Sequence, residues 1–360
     1  MKSHLLVAAA ILGAAVAAPV ESLAAERTMH PMTSREARLP VEGMLASLAG
    51  ATAWLNSQPL MAEGLRGKVV LVDFWTYTCI NWQRTQPYVR YWAEKYKDQG
   101  LAVIGVHTPE FGFEKDVDNI RPALKRFRVE YPVAVDSNYA IWDAFGNHYW
   151  PAAYVADAKG NIRYHHFGEG EYERTEAVIQ QLLREAGYSG KGNDAVKIDP
   201  RGSEVAADWE NLRSGENYLG GDKAEGFSSP GGALVGKSRT YSAPGPLRLN
   251  QWALSGDWTV SPGAAALDKV NGRVLYRFHS RDVHLVMGPA TRGSSVRFRV
   301  LLDGRPPGNA HGTDIDEGGF GTVTEQRLYQ LIRQPGPIAD RTLEIEFLDP
   351  GVEAYAFTFG

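Results

Sequence analysis

The side chain with the most distinctive chemistry occurs once: Cys79 is the only cysteine in 360 residues. No disulfide can form within the chain, so the thiol is either buried and inert or reactive and able to pair with another molecule. It ends the run Val72-Asp73-Phe74-Trp75-Thr76-Tyr77-Thr78-Cys79. Val69 to Phe74 has the continuous apolar character of a central strand covered on both faces. From Pro87 to Lys97 the spacing is helical, with Val89, Trp92, Ala93 and Tyr96 at i, i+3, i+4 and i+7. Cys79 is therefore expected where a strand gives way to a helix N-terminus. Unpaired backbone N–H groups and the helix dipole stabilise an anion there, which lowers a thiol's pKa and favours the nucleophilic thiolate. Pro87 would kink that helix. The competing reading of Cys79 is a small apolar side chain left in a binding fold.

Two further side chains are candidates beside the thiol. His107, Thr108, Pro109, Glu110 and Phe111 follow an apolar strand, Leu101 to Val106. In an open α/β sheet the C-terminal ends of parallel strands share one edge, which puts this loop on the side of Cys79. His107 or Glu110 could tune the thiol or relay a proton; a surface loop capping the next helix is the plainer alternative. His165-His166 do not suggest a metal site, because successive strand residues face opposite sides. Asp314, Asp316, Gly319 and Glu325 fall at EF-hand loop positions 1, 3, 6 and 12, but Gly318 replaces the oxygen ligand at position 5. With strand-like flanks, that spacing reads as coincidence. No metal and no cofactor is expected.

The elements that must hold these residues divide the chain. Lys2 precedes an apolar stretch, Leu5 to Ala18, followed by small-residue sites at Ala15-Val16-Ala17 and Ser22-Leu23-Ala24. Residues 1–24 thus read as a secretory signal, giving an exported, periplasmic or otherwise extracytoplasmic protein with no later segment apolar enough to span a membrane. A polar lead, 25–59, precedes an α/β region at 60–189 with helices at Asp118 to Phe127, Tyr139 to Phe145 and around Val178, Leu182 and Ala186. Ala152 to Ala156 and Asn161 to Phe167 flank the hairpin signal Asp157-Ala158-Lys159-Gly160. Residues 190–236, rich in Gly, Asp and Ser, read as a linker. From 237 to 360 the period is two: Val274, Tyr276 and Phe278, then Val296, Phe298 and Val300, then Leu343, Ile345 and Phe347. That pattern predicts an antiparallel, jelly-roll-like β-sandwich. Trp252, Trp258 and Tyr276 could offer it a sugar-stacking face, although aromatics in a sandwich are more often core. A formal net charge of -4 with no basic run excludes nucleic acid as an expected partner.

The strand Val72-Asp73-Phe74-Trp75, the Asp73 to Cys79 and Cys79 to Pro87 spacings, and Trp150-Pro151 before a strand together resemble the thioredoxin superfamily. Stretches such as GKVVLVDFWTYTC, VIGVHTPEFGFEKD and AIWDAFGNHYWPA are similar to TlpA-like and DipZ-type thiol–disulfide interchange proteins. The likeness runs from about Gly67 to Gly187, and the C-terminal β region resembles the carbohydrate-binding-module-like domain that follows in those proteins. It implies a thioredoxin fold, a cis Pro151 against the cysteine and a buried acid at Asp73. It also implies a Cys-x-x-Cys pair, where this chain reads Cys79-Ile80-Asn81-Trp82. Trp82 cannot resolve a mixed disulfide. Chemistry at Cys79 would therefore need an external thiol or redox partner protein, by monothiol exchange or by peroxide reduction through a sulfenic acid. Thr76, three residues before Cys79, partly echoes the peroxiredoxin pattern, but Val72 stands where that pattern needs proline. The competing class is a redox-dead binding module whose sandwich contacts glycan or protein.

Overall fold

Seven segments of the first half pair into one mixed sheet: β1 (Gly43–Met44), β2 (Ala53–Leu55), β3 (Val69–Trp75), β4 (Leu101–His107), β5 (Val133–Val135), β6 (Ala152–Ala156) and β7 (Asn161–Phe167). Their order is β1-β7-β6-β3-β4-β5-β2, with β3, β4 and β5 parallel and the others antiparallel to their neighbours. The structure is a computed structural model that describes residues 38–189, 197–221 and 223–360; the signal expected at 1–24 lies outside them. Every residue of β3 is buried, as its unbroken apolar run requires of a strand covered on both faces. Val69 and Leu71 face a core completed by Trp82, Trp92, Ile120 and Leu182, while Val70, Val72 and Phe74 face a second one with Ile141 and Trp142.

Helices α1 (Ala62–Leu65), α2 (Ile80–Tyr96), α3 (Val117–Arg126), α4 (Ala140–Ala144) and α5 (Tyr172–Glu185) cover the sheet. α2 begins directly after Cys79 and carries Pro87 within it, two turns earlier than the apolar spacing at Pro87–Lys97 marks. The first turns are polar in sequence yet buried: Gln83, Arg84, Thr85 and Gln86 are all covered. Tertiary packing, not amphipathic spacing, fixes that end of the helix.

The second half is antiparallel: β8 (Asn217–Tyr218), β9 (Ser238–Tyr241), β10 (Trp252–Val260), β11 (Ala265–Leu267), β12 (Gly272–Phe278), β13 (Asp282–Pro289), β14 (Val296–Leu302), β15 (Phe320–Val323), β16 (Arg327–Arg333), β17 (Arg341–Phe347) and β18 (Val352–Phe359). The path β15-β14-β17-β12-β10-β11-β18-β13-β16 folds over at β10. The start of that strand pairs β12 and its end pairs β9 and β11. Gly256 sits at the crossover with φ +96, and a Cβ there would come within 2.9 Å of the Gly272 Cα. The alternating residues Val274, Tyr276, Phe298, Val300, Ile345 and Phe347 meet in one core, making the expected β-sandwich.

One expectation changes, the linker, and two weaker alternatives, a sugar-stacking face and a calcium loop, find no support. Trp252, Trp258 and Tyr276 are 1%, 0% and 1% exposed, so they fill the sandwich core and offer no stacking face to a sugar. The stretch expected to be a linker supplies β8, which pairs with β18 at Ala356 and Phe357. Asp314 and Glu325 are held by arginines, Arg327 and Arg126, and the Asp316 carboxylate accepts the Phe320 N–H. The sandwich also packs directly on the Cys79 edge of the first sheet, with Ile80 and Phe111 against Val286, Leu328, Tyr355 and Ala356.

Candidate active site around Cys79

The turn between β3 and α2 is closed by the Cys79 N–H, which donates to the Thr76 carbonyl at 3.2 Å. Cys79 is the N-cap of α2, and its own carbonyl accepts the Gln83 N–H at 3.0 Å. The Thr78 hydroxyl donates to Glu114 Oε1 at 2.6 Å, and the other Glu114 oxygen accepts the backbone N–H groups of Glu110 and Phe111. One buried carboxyl thus ties the cysteine turn to the loop after β4. Asp136 holds the start of that loop through the Thr108 hydroxyl, and Trp150 Nε1 donates to the Thr108 carbonyl. The Trp150-Pro151 peptide is cis, and the Cys79 Sγ faces the Trp150 carbonyl at 3.8 Å.

Cys79 is half-buried and lines a cavity of about 250 Å³ between the α/β layer and the sandwich. The first domain gives it Arg84, Glu110 and Trp150; the second half of the chain gives Glu216, Tyr218 and Thr358. The Tyr218 hydroxyl donates to Glu110 and lies 3.4 Å from Glu216. Burial, then the carboxylates of Glu216 and Glu114, push the Glu110 carboxyl well above the usual carboxylate range. Burial and the field of Glu110 likewise push the Cys79 thiol up, against the lowering effect of the N–H groups at the start of α2. This reverses the direction expected from the helix terminus alone: the dipole is present, but desolvation and a neighbouring acid outweigh it. A larger cleft of about 430 Å³, lined among others by Tyr77, Gln83, Arg126 and Gln330, does not include the sulfur.

Residues 46–183 match the Redoxin family, and residues 214–360 match the family described as Thioredoxin like C-terminal domain. The thiol-disulfide oxidoreductase YkuV of Bacillus subtilis is 32% identical over 141 residues, an alignment covering 95% of that protein and 39% of this chain. The chain belongs to the thioredoxin-like thiol–disulfide oxidoreductase family. Protein DipZ of Mycobacterium tuberculosis is 36% identical over 329 residues, 90% of this chain and 44% of DipZ, so the chain spans less than half of that relative. A solved thioredoxin-like protein in its oxidised form is 32% identical, with 41% of this chain and 99% of that one covered and a TM-score of 0.38.

Against that family the other expected site residues separate. Asp73 and Trp82 face each other inside the core: Trp82 Nε1 donates to Asp73 Oδ2 at 3.1 Å. The Trp82 ring stacks on Trp75 at 4.2 Å between centroids and meets Phe127 edge-on. Burial raises the Asp73 carboxyl to about 7, and the indole hydrogen bond only partly offsets it. Thr76 is fully buried beneath the turn. His107 is not beside the thiol; it lies between the Trp75 and Tyr77 rings, where burial lowers it to about 3 and keeps it neutral. Glu110 alone of that loop pair reaches the cavity. Arg84, Glu216, Tyr218 and Thr358 carry no signal in spacing, because they meet only after the second half folds over Cys79, and Glu114 meets the cysteine turn only through the fold of the first half. Among the described residues no cluster of His, Cys, Asp and Glu could hold a metal ion, and no helix is long and apolar enough to cross a membrane.

Proposed function

We propose that the chain carries out thiol–disulfide exchange through Cys79 alone, with an external thiol in place of the missing second cysteine. The observation that carries this reading is the position of the sulfur: at the N-cap of α2, half-buried, lining a cavity built by both halves of the chain. The Cys79 thiolate attacks one sulfur of a bound disulfide, the partner sulfur leaves and takes a proton, and a mixed disulfide on Cys79 remains. A second, free thiol then attacks it and releases Cys79. Glu110, which burial and its acidic neighbours hold in the acid form at neutral pH, is placed to give a proton to the departing sulfur and can take the Cys79 proton only once it ionises, near pH 8. Asp73 has no second cysteine to serve; bound to Trp82, it acts as a buried partner of the core.

Exchange and peroxide reduction both need the thiolate, so the raised thiol does not separate them; likeness to the thiol-disulfide oxidoreductase YkuV is what supports exchange. In this reading 60–189 is the redox domain and 237–360 the sandwich, with the segment between them supplying Glu216 and Tyr218 to the pocket. Lys2 and the apolar stretch Leu5 to Ala18 support an exported, extracytoplasmic setting, where disulfides persist. The test is intact mass of the reduced, folded protein after exposure to a small aromatic disulfide, followed by a monothiol. One adduct, absent from Cys79→Ser and removed by the thiol, is the expected result. An adduct that forms only after unfolding would leave the redox-dead binding module as the better account.

A further inference from the structure

The Cys79 cavity is lined by two acids and by two side chains with an unpaired hydrogen-bonding group. Glu110 and Glu216 converge on the Tyr218 hydroxyl, and among the described residues no Lys or Arg forms an ion pair with either. The ammonium of Lys223 lies over the Tyr218 ring, 4.8 Å from its centroid, and reaches the acids only as a field. Arg84, which also lines the cavity, is 3% exposed. Its Nη1 donates to Glu169 and its Nη2 to the Phe359 carbonyl, which leaves Nε–H without a partner. Thr358 is 4% exposed and its hydroxyl is also unpaired. On β18, Thr358 shares the face of Ala356, which packs on Ile80, so its side chain faces the Cys79 edge. Buried polar groups in native proteins are nearly always satisfied, so a donor and a hydroxyl left unpaired, in two side chains that line the cavity, point to a ligand or water that completes them.

We infer that, given exchange through Cys79, the pocket selects small thiols and disulfides carrying an α-amino-acid head group, of which cysteine and cystine are the simplest. The ammonium would sit between Glu110 and Glu216, the carboxylate would accept from Arg84 Nε–H and the Thr358 hydroxyl, and the sulfur would face Cys79. The size agrees: about 250 Å³ is below the roughly 300–1,000 Å³ of sites for drug-sized ligands and suits one amino-acid-sized molecule. The ammonium also answers the electrostatic problem at the sulfur, since a cation beside the carboxylates offsets the field that disfavours the thiolate. With cystine, a bond forms between Cys79 and one sulfur while the cystine S–S bond breaks. Cys79 is oxidised, and one cysteine leaves reduced with a proton. A second thiol of the same class attacks the adduct, Cys79 returns to the thiol, and the two small thiols depart joined.

The test uses the full reduced chain at pH 7 with three disulfides: cystine, cystamine (ammonium without carboxylate) and 3,3′-dithiodipropionate (carboxylate without ammonium). Adduct formation on Cys79 is followed by intact mass and divided by the rate for unfolded protein, which cancels intrinsic reactivity. Cystine is expected to lead dithiodipropionate by at least tenfold, with cystamine between them. Glu216→Gln should shrink the gap to dithiodipropionate, and Thr358→Val the gap to cystamine. Equal normalised rates, or dithiodipropionate leading, would overturn the selectivity while leaving exchange intact. Cystamine matching cystine would overturn the roles of Arg84 and Thr358. No adduct on folded protein with any of the three would overturn exchange itself.

Discussion

Cys79 and Trp82 stand three residues apart at the start of one helix, yet they occupy opposite environments. Cys79 lines a polar cavity closed by the far half of the chain, with two acids, a tyrosine hydroxyl and an arginine around it. Trp82 is fully buried, stacked on Trp75 and bonded to Asp73. In a Cys-x-x-Cys protein these two positions would share one reaction. Here, on the proposed reading, Cys79 alone would carry the chemistry, while Trp82 is packed in the core and the buried acid is bonded to it. Fold retention and reactivity are thus separable at this site, and each can be perturbed without the other.

The largest effect should come from Cys79→Ser, which removes the nucleophile. Adduct formation is expected to fall to zero by intact mass, while the urea midpoint stays close to the parent's because the side chains are nearly equal in size. Trp82→Ala should do the reverse. Emptying a fully buried indole site costs about 3–5 kcal/mol by denaturant unfolding, while the folded fraction still forms the Cys79 adduct. Trp82→Cys leaves a similar void but restores a second thiol; intramolecular disulfide formation in it, read by loss of two free thiols, would confirm that Trp82 sits where a resolving cysteine would.

Asp73 gives the next effect. Its carboxyl titrates near 7 in the fold against an ordinary 3.8, so between those values the native state keeps a proton that the unfolded chain has lost. Stability from this group is full below about pH 4 and declines as pH rises to about 7. With each tenfold difference in proton affinity equivalent to about 1.4 kcal/mol, the decline is on the order of a few kcal/mol. Asp73→Asn should flatten that part of the stability profile, and Trp82→Phe, which removes the indole N–H that lowers the Asp73 carboxyl, should extend the decline to higher pH. An unchanged profile in Asp73→Asn would contradict the burial argument. The smallest effect is kinetic. Glu110→Gln removes a negative charge beside the sulfur, so the alkaline rise of Cys79 alkylation should move to lower pH. The gain should appear above about pH 8, where Glu110 is ionised, and the labelling rate at pH 7 should change little.

Much of the frame was legible because its signals are local. The unbroken apolar run at β3 marked a central strand, the Gly160 hairpin placed β6 and β7, and period-two alternation marked β12, β14 and β17. What escaped depends on residues distant in sequence. β8 is two residues long, too short for any period, and takes its place only by pairing with β18. The buried polar start of α2 has no amphipathic signature because its polar groups are bonded by distant residues of both halves, Gln86 by Phe127 and Tyr131 and Arg84 by Phe359. Reading the helix terminus gave a lowered thiol pKa; the opposite direction arises from Glu110 and the desolvation imposed by a distant part of the chain. His107 showed the limit of edge placement: the strand ended at the right edge, but the ring turned between Trp75 and Tyr77.

The most direct test is the alkylation rate of Cys79 against pH, on folded reduced protein and on the unfolded chain. The account predicts that the folded protein labels, with a thiol pKa above that of the unfolded chain. A thiol pKa below the unfolded value would contradict the electrostatics assigned to Glu110 and burial, and a thiol that labels only after unfolding would contradict the reactive pocket itself.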